Sequence, residues 1–283
     1  QGTYPPGSTV KPLVAAAGLA EGVVTERTTV PSTGGVRVNQ WFFPDWRAGG
    51  HGPTNVTLAL AESVNTYFYY VGGGFEGFSG LGVERLTGYL RRAGLGRPLG
   101  VELLGESAGL VPDPAWKEQA IGQPWYIGDT YHLAIGQGDL LVSPLQVAAF
   151  TAMIANGGTL PRPHLVREMQ FPGGELVRRV VPPALAQGLF DPQNLTLVRR
   201  GLRQAVRSGS ARALHAVPIA VAGKTGTAQW SSTRPNHAWF TGYAPADDPR
   251  IALTVLVEQG GEGGTAAVPV AAEFLTWWAA ERQ

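Results

Sequence analysis

Three short stretches carry residue types that could do chemistry. In Ser8-Thr-Val-Lys11 a hydroxyl stands three residues before an amine. On a helix such residues are neighbours, with Cβ atoms roughly 5–6 Å apart, so the two groups can share a hydrogen bond. A serine hydroxyl is a poor nucleophile until a base takes its proton. The lysine can be that base only when its amine is neutral. Bringing a lysine pKa from about 10.4 to about 7 corresponds to roughly 4–5 kcal/mol, which burial and a second nearby cation would supply. Taken alone, the pattern fits an ordinary helix N-terminus equally well. Ser63-Val-Asn65 adds a second hydroxyl and an amide, with no signal of its own. Lys224-Thr-Gly-Thr227 follows an apolar approach, Ile219-Ala-Val-Ala-Gly223. Lys224 brings a cation, Thr225 and Thr227 bring hydroxyls, and Gly226 would let a ligand backbone come close to a strand edge. Those groups suit a carboxylate.

The elements that must position these groups can be read from turn and cap signals. Leu13 to Ala20 is an Ala-rich helical run that ends near Glu21-Gly22. Residues 25–57 form a polar, Gly/Pro-rich stretch with short β-like pieces. Leu58 to Val71 is helix-compatible and aromatic-rich, with Ser63-Val-Asn65 just inside it. Val83 to Ala93 is an amphipathic helix stopped by Gly94, and 94–128 hold few helix signals. Ser143-Pro-Leu-Gln146 is a capping box with Pro at the first helical position, opening a helix to Ala155 before Asn156-Gly-Gly158. Leu195 to Val206 is another helix, closed by Ser208-Gly209. Ile219 to Trp230, His237 to Tyr243 and Ile251 to Glu258 read as three consecutive strands. Ala266 to Arg282 reads as a closing helix with Phe274, Trp277 and Trp278 for packing. A mainly helical middle followed by an antiparallel sheet with a helix on it is an α+β architecture.

The chain has 283 residues, 44% of them apolar, enough for a sizeable core. Charged residues are 15%, and 22 Lys+Arg against 21 Asp+Glu leave a net charge of +1, with no footprint for nucleic acid. The absence of Cys removes disulfides, thiol catalysis and Cys-ligated metal. Other patterns are incidental. Gly105-Glu-Ser-Ala-Gly109 matches a nucleophile elbow, but Pro112 and Pro114 argue against the helix that must follow. Gly72-Gly-Gly-Phe-Glu-Gly77 matches a dinucleotide fingerprint without the βαβ alternation it needs. Gly223-Lys-Thr225 ends like a phosphate loop, yet Pro218 stands where that loop requires Gly. The five His residues show no metal-ligand spacing. Asp45 and His51 share one loop, which fits a solvated pair better than a metal site.

In combination the three stretches become specific. Ser63 follows Ser8 by 55 residues and Lys224 follows Ser63 by 161. These intervals leave room for a helical subdomain and then a sheet. Ser-x-x-Lys, a Ser-x-Asn element and Lys-Thr-Gly in this order mark penicillin-binding proteins and class A β-lactamases. The chain resembles the transpeptidase domain of class B penicillin-binding proteins, and among them the elongation-type penicillin-binding protein 2. Tyr4-Pro-Pro-Gly-Ser-Thr-Val-Lys-Pro12 is similar to the nucleophile segment and Glu62-Ser-Val-Asn-Thr-Tyr-Phe-Tyr69 to the second motif. Gly223-Lys-Thr-Gly-Thr-Ala-Gln229 is similar to the third. Gln123 to Asp129, Ile135 to Gly138 with Ser143 to Gln146, and Asn156 to Gly158 with Pro161 to His164 resemble the central helical region.

The resemblance implies a penicillin-recognising serine transpeptidase/β-lactamase-like fold over 1–283, with a helical subdomain near 58–210 and the C-terminal sheet and helix near 211–283. It implies D,D-transpeptidation of peptidoglycan stem peptides ending in D-Ala-D-Ala, with covalent inhibition by β-lactams. Ser8 would be the nucleophile, Lys11 its base, Ser63 a proton relay and Asn65 the holder of Lys11 and the substrate amide. Lys224 would keep the pocket positive and help to lower the Lys11 pKa, and Thr225, Gly226 and Thr227 would bind substrate. No cofactor and no nucleic acid are implied. The partners implied are a polytopic glycan polymerase and other elongation-complex proteins. The location implied is the extracytoplasmic face of the bacterial inner membrane. A β-lactamase or D,D-carboxypeptidase of the same fold, and a non-catalytic β-lactam sensor or scaffold, are the alternatives.

Three features depart from the family. Its members carry an anchor, an elongated pedestal and two strands of the catalytic sheet ahead of the nucleophile, which this chain does not include. Ile251–Glu258 is therefore expected as an edge strand whose partner lies upstream of residue 1. The second motif holds Asn65 where Asp is frequent. Some members bind zinc through two Asp, a His and a Cys; Asp45 and His51 match two positions, while Val64 and the vicinity of Val30 occupy the others, so no metal is implied.

Overall fold

The computed structural model describes residues 2–281, and Arg282, the expected end of the last helix, lies outside them. After a 3-10 turn over Gly7–Val10 comes α1 (Lys11–Ala20), buried on every side from Lys11 to Leu19. Its small residues allow this. A Cβ on Gly18 would lie 2.7 Å from Val71 Cγ1. Four short strands follow: β1 (Val30–Ser32), β2 (Gly35–Val38), β3 (Trp41–Pro44) and β4 (Gly52–Thr54). They pair as two hairpin-like ribbons, β1 with β4 and β2 with β3.

The helix expected over 58–71 is two helices, α2 (Val56–Ala61) and α3 (Asn65–Gly73). The break falls at Ser63, whose φ of 59° is left-handed. Val64 N–H reaches back to the Ala59 carbonyl at 3.0 Å, the long closing bond of a helix C-terminus. Glycine usually takes that place, and its absence hides the break from the sequence. Next come α4 (Gly82–Arg92), α5 (Pro114–Ile121), α6 (Ile127–Ala134) and α7 (Pro144–Ala155). The α7 capping box forms as the sequence indicates, with Gln146 N–H donating to Ser143 Oγ at 3.2 Å and Ser143 N–H to Gln146 Oε1 at 2.9 Å. A small exposed hairpin, β5 (Glu168–Gln170) and β6 (Leu176–Arg179), precedes α8 (Pro192–Arg207).

The C-terminal sheet is β7 (Ala222–Ala228), β8 (His237–Ala244) and β9 (Ile251–Val257), antiparallel in the order β7-β8-β9. α7 packs on β8 and β9, and the closing helix α9 (Val268–Glu281) also packs against both strands. Thr151 on α7, Thr241 on β8 and Thr254 on β9 join through hydroxyl contacts of 2.7 and 2.8 Å. This satisfies polar groups inside an apolar layer. β9 is the edge strand anticipated, half-buried along its length, with no strand beyond it among the described residues. α9 departs from expectation. It packs through Val268, Ala271, Leu275 and Ala279, while Phe274 and Trp277 point outward. The result is an α+β fold whose Gly7–Val10 turn lies against β7.

Candidate active site

The segment that carries Ser8 is held from three sides. Tyr4 exchanges two backbone hydrogen bonds with Val142, at 2.9 and 3.0 Å. Trp239 Nε1 donates to the Pro5 carbonyl at 3.0 Å, and Gly7 N–H donates to the Gly136 carbonyl at 2.8 Å. Gly136, at φ +74°, has no room for a side chain, since a Cβ there would meet the Gly7 oxygen at 2.0 Å. Gly226 was expected to give a ligand room. The space beside it is filled by the chain itself: a Cβ would sit 2.9 Å from Thr9 Cγ2 and 3.0 Å from the Pro6 oxygen. Its bareness lets the nucleophile turn lie on β7.

The turn from 3-10 to α1 puts Ser8 and Lys11 three residues apart on one side. Lys11 is fully buried. Its Nζ donates to Asn65 Oδ1 at 2.6 Å, to the Ser63 carbonyl at 2.8 Å and to Ser63 Oγ at 3.3 Å. The first two motifs are therefore joined through one amine. Burial lowers the Lys11 pKa to about 7, against a smaller upward pull from Asp45. Lys224 is also fully buried and donates to the Thr225 carbonyl at 3.0 Å. Burial and then the Lys11 charge push it well below its ordinary value. Burial is the first cause for both amines, and the repulsion between them opposes protonation of the pair.

Sequence reasoning missed two residues. From the sequence, Asp45 reads as half of a solvated loop pair with His51, or as a metal ligand. In the structure it is the anchor of the second motif. Val64, at the N-cap of α3, has no side chain able to accept a hydrogen bond. Asp45 takes over that duty from the loop after β3. Oδ1 accepts from Asn65 N–H at 3.2 Å, and Oδ2 from Thr66 N–H at 3.0 Å and Thr66 Oγ1 at 2.8 Å. A carboxylate there also suits the positive end of the helix. Ser210, after α8, accepts from Thr225 Oγ1 at 2.8 Å, and no pattern around it marks it in the sequence.

The residues do not fit zinc. Both oxygens of Asp45 are committed to α3, and Val30 and Val64 are buried apolar groups. No group of three His, Cys, Asp or Glu able to hold a metal occurs among the described residues.

A cleft of about 1580 Å³ opens over these groups, lined by Ser8, Ser63, Asn65, Thr225 and Thr227 among others. Its walls carry aromatic side chains: Trp46, whose Nε1 donates to the Glu62 carbonyl at 2.9 Å, and Trp230, stacked on His237 at 5.0 Å. Ser107 does not line the cleft, and its segment up to Asp113 forms no helix.

A hydroxyl at the mouth of a helix, a buried amine of lowered basicity and a Lys-Thr-Gly strand beside them define the penicillin-recognising serine fold. The chain belongs to the family of penicillin-binding protein transpeptidase domains, whose model matches residues 1–276. It is 34% identical to the peptidoglycan D,D-transpeptidase MrdA of Haemophilus influenzae, over 100% of this chain and 45% of that protein. It is also similar to Pseudomonas aeruginosa PBP2, solved in complex with WCK 5153, at 36% identity and a TM-score of 0.87, covering 100% of this chain and 62% of that one. Helicobacter pylori PBP2, solved in complex with MreC, aligns at 33% identity and a TM-score of 0.85, covering 99% and 50%. The chain spans about half the length of the curated relatives it matches.

Proposed function

We propose that this chain is the catalytic part of a peptidoglycan D,D-transpeptidase. The observation that carries the reading is the buried Lys11 amine, held by Ser63 and Asn65, which line one cleft together with Ser8. Ser8 Oγ attacks the carbonyl of the penultimate D-Ala while Lys11 accepts its proton. Backbone N–H groups of Ser8 and Thr227 take the oxyanion, a contribution of roughly 3–4 kcal/mol per donor. The proton returns through Ser63 to the leaving nitrogen, the C–N bond breaks and terminal D-Ala departs. An amine of a neighbouring stem peptide then attacks the ester carbonyl, forms the cross-link and frees Ser8. Thr225 and Thr227 hold the substrate carboxylate. Its arrival favours the protonated form of Lys224, because an anion raises the pKa of a nearby amine. β-Lactams follow the first half of this course and remain on Ser8.

The partners in this reading are a membrane-embedded glycan polymerase and scaffold proteins of the elongation complex, reached through other parts of the protein. The protein works at the extracytoplasmic face of the inner membrane. Among the described residues no helix is long and apolar enough to cross a membrane. The fate of the acyl-enzyme tests the reading against a hydrolase of the same fold. The penicilloyl adduct should persist for hours, and a D-Ala-D-Ala thioester analogue should turn over faster with an added amine acceptor. Release of the adduct within seconds would make the chain a β-lactamase.

A further inference from the structure

A second cavity of about 620 Å³ lies between α8 and the loop after β8, and it shares no lining residue with the catalytic cleft. Four arginines line it, Arg199, Arg200, Arg203 and Arg207, against one carboxylate, Asp247. Arg199, Arg203 and Arg207 are four residues apart in succession, which stacks them on one face of α8. Arg200 is engaged in an ion pair with Glu26. Arg203 spends one nitrogen on the Val221 carbonyl at 2.8 Å and has no ion pair among the described residues. Neither Arg199 nor Arg207 has one either, among the described residues. Two of the lining residues each keep a buried polar atom without a partner among the described residues, Arg199 Nε and the Tyr243 hydroxyl. Tyr243 is wholly buried, so its hydroxyl cannot turn to bulk water.

A buried donor without a partner costs about 1–3 kcal/mol, so a partner that reached these two would stabilise the fold. Stacked guanidinium groups also repel one another. The Arg203 pKa is lowered, first by burial and then by the Arg207 charge, with Asp247 pulling the other way. An oxyanion would satisfy both orphan donors and relieve that repulsion. Three unpaired guanidinium groups call for more than one negative charge. Their planar donor forks, with a hydroxyl beside them, match the oxygens of a phosphate. We propose that the cavity formed by Arg199, Arg203, Arg207 and Tyr243 is a binding site for a phosphate or phosphoester dianion. The site is independent of the catalytic reading, since none of its residues belongs to the cleft.

The probe is inorganic phosphate, titrated calorimetrically into the protein at constant ionic strength. One phosphate per chain should bind, with affinity reduced at least tenfold in Arg199→Gln and in Arg207→Gln. Tyr243→Phe removes only the orphan hydroxyl, keeps the ring and should weaken binding severalfold. Penicillin acylation should be unchanged in all three variants, which also reports that they are folded. Glycerol phosphate and vesicles of phosphatidate in phosphatidylcholine separate the sources of the ligand. Capture of glycerol phosphate without vesicle binding assigns a soluble phosphoester. Vesicle binding lost in Arg199→Gln assigns a lipid headgroup. Absence of saturable binding to phosphate, glycerol phosphate and vesicles alike overturns the proposal. So does phosphate binding that all three variants retain at full strength.

Discussion

At the residue scale the chemistry turns on keeping one amine neutral. Lys11 has a lowered pKa, about 7, because it is buried. Below that value it carries a proton and cannot take one from Ser8. The acylation rate should therefore rise with pH along a limb centred near 7, which stopped-flow acylation by penicillin measures. Lys11→Arg keeps the charge and cannot deprotonate, so acylation should fall by several orders of magnitude with the fold retained. Asp45 makes a second prediction. Asn in its place can accept on one side only, leaving a donor of α3 facing an NH2 group, at a cost of about 1–3 kcal/mol. The Asp45 charge also holds the Lys11 pKa up. Its removal should move the acylation limb to lower pH while reducing the plateau rate. A residue that only supported the fold would lower stability and leave the limb in place.

At the element scale the site depends on backbones that touch. Gly136→Ala adds a Cβ where the Gly7 oxygen lies at 2.0 Å, and it does so at a φ that L side chains rarely adopt. We expect it to lower the denaturation free energy by about 1–3 kcal/mol and to slow acylation, because the nucleophile turn must move. Gly88, mid-helix in α4 with open space around it, is the contrast. Gly88→Ala should stabilise by roughly 0.5–1 kcal/mol and leave acylation alone. Urea midpoints of the two variants check the signs. Legibility in the sequence followed the same logic. The capping box of α7 and the strands of the sheet are local signals and were readable. The cues for α5, Asp113 before Pro114 and Gly122 after Ile121, lie in a stretch whose Gly/Pro content masked them, so that neither α5 nor α6 is foreseen there. The break at Ser63 was not readable. It rests on a left-handed serine and on a cap supplied by Asp45, twenty residues away from Asn65.

At the scale of the whole molecule, three motifs far apart in the chain meet in one cleft. Their order and spacing made that meeting legible before any coordinates. The surrounding supports were not, because Asp45, Ser210 and Gly136 act through tertiary contacts that leave no periodic or cap signature. The outward Phe274 and Trp277 show the converse error, in which aromatic content suggested packing that small residues perform. All of the proposed mechanism passes through a single atom, Ser8 Oγ. The most direct measurement is the mass of the intact chain after incubation with penicillin, followed by peptide mapping. One penicilloyl adduct is expected, mapped to Ser8, absent in Ser8→Ala and present in Ser107→Ala. An adduct that survives in Ser8→Ala and disappears in Ser107→Ala would contradict this mechanism.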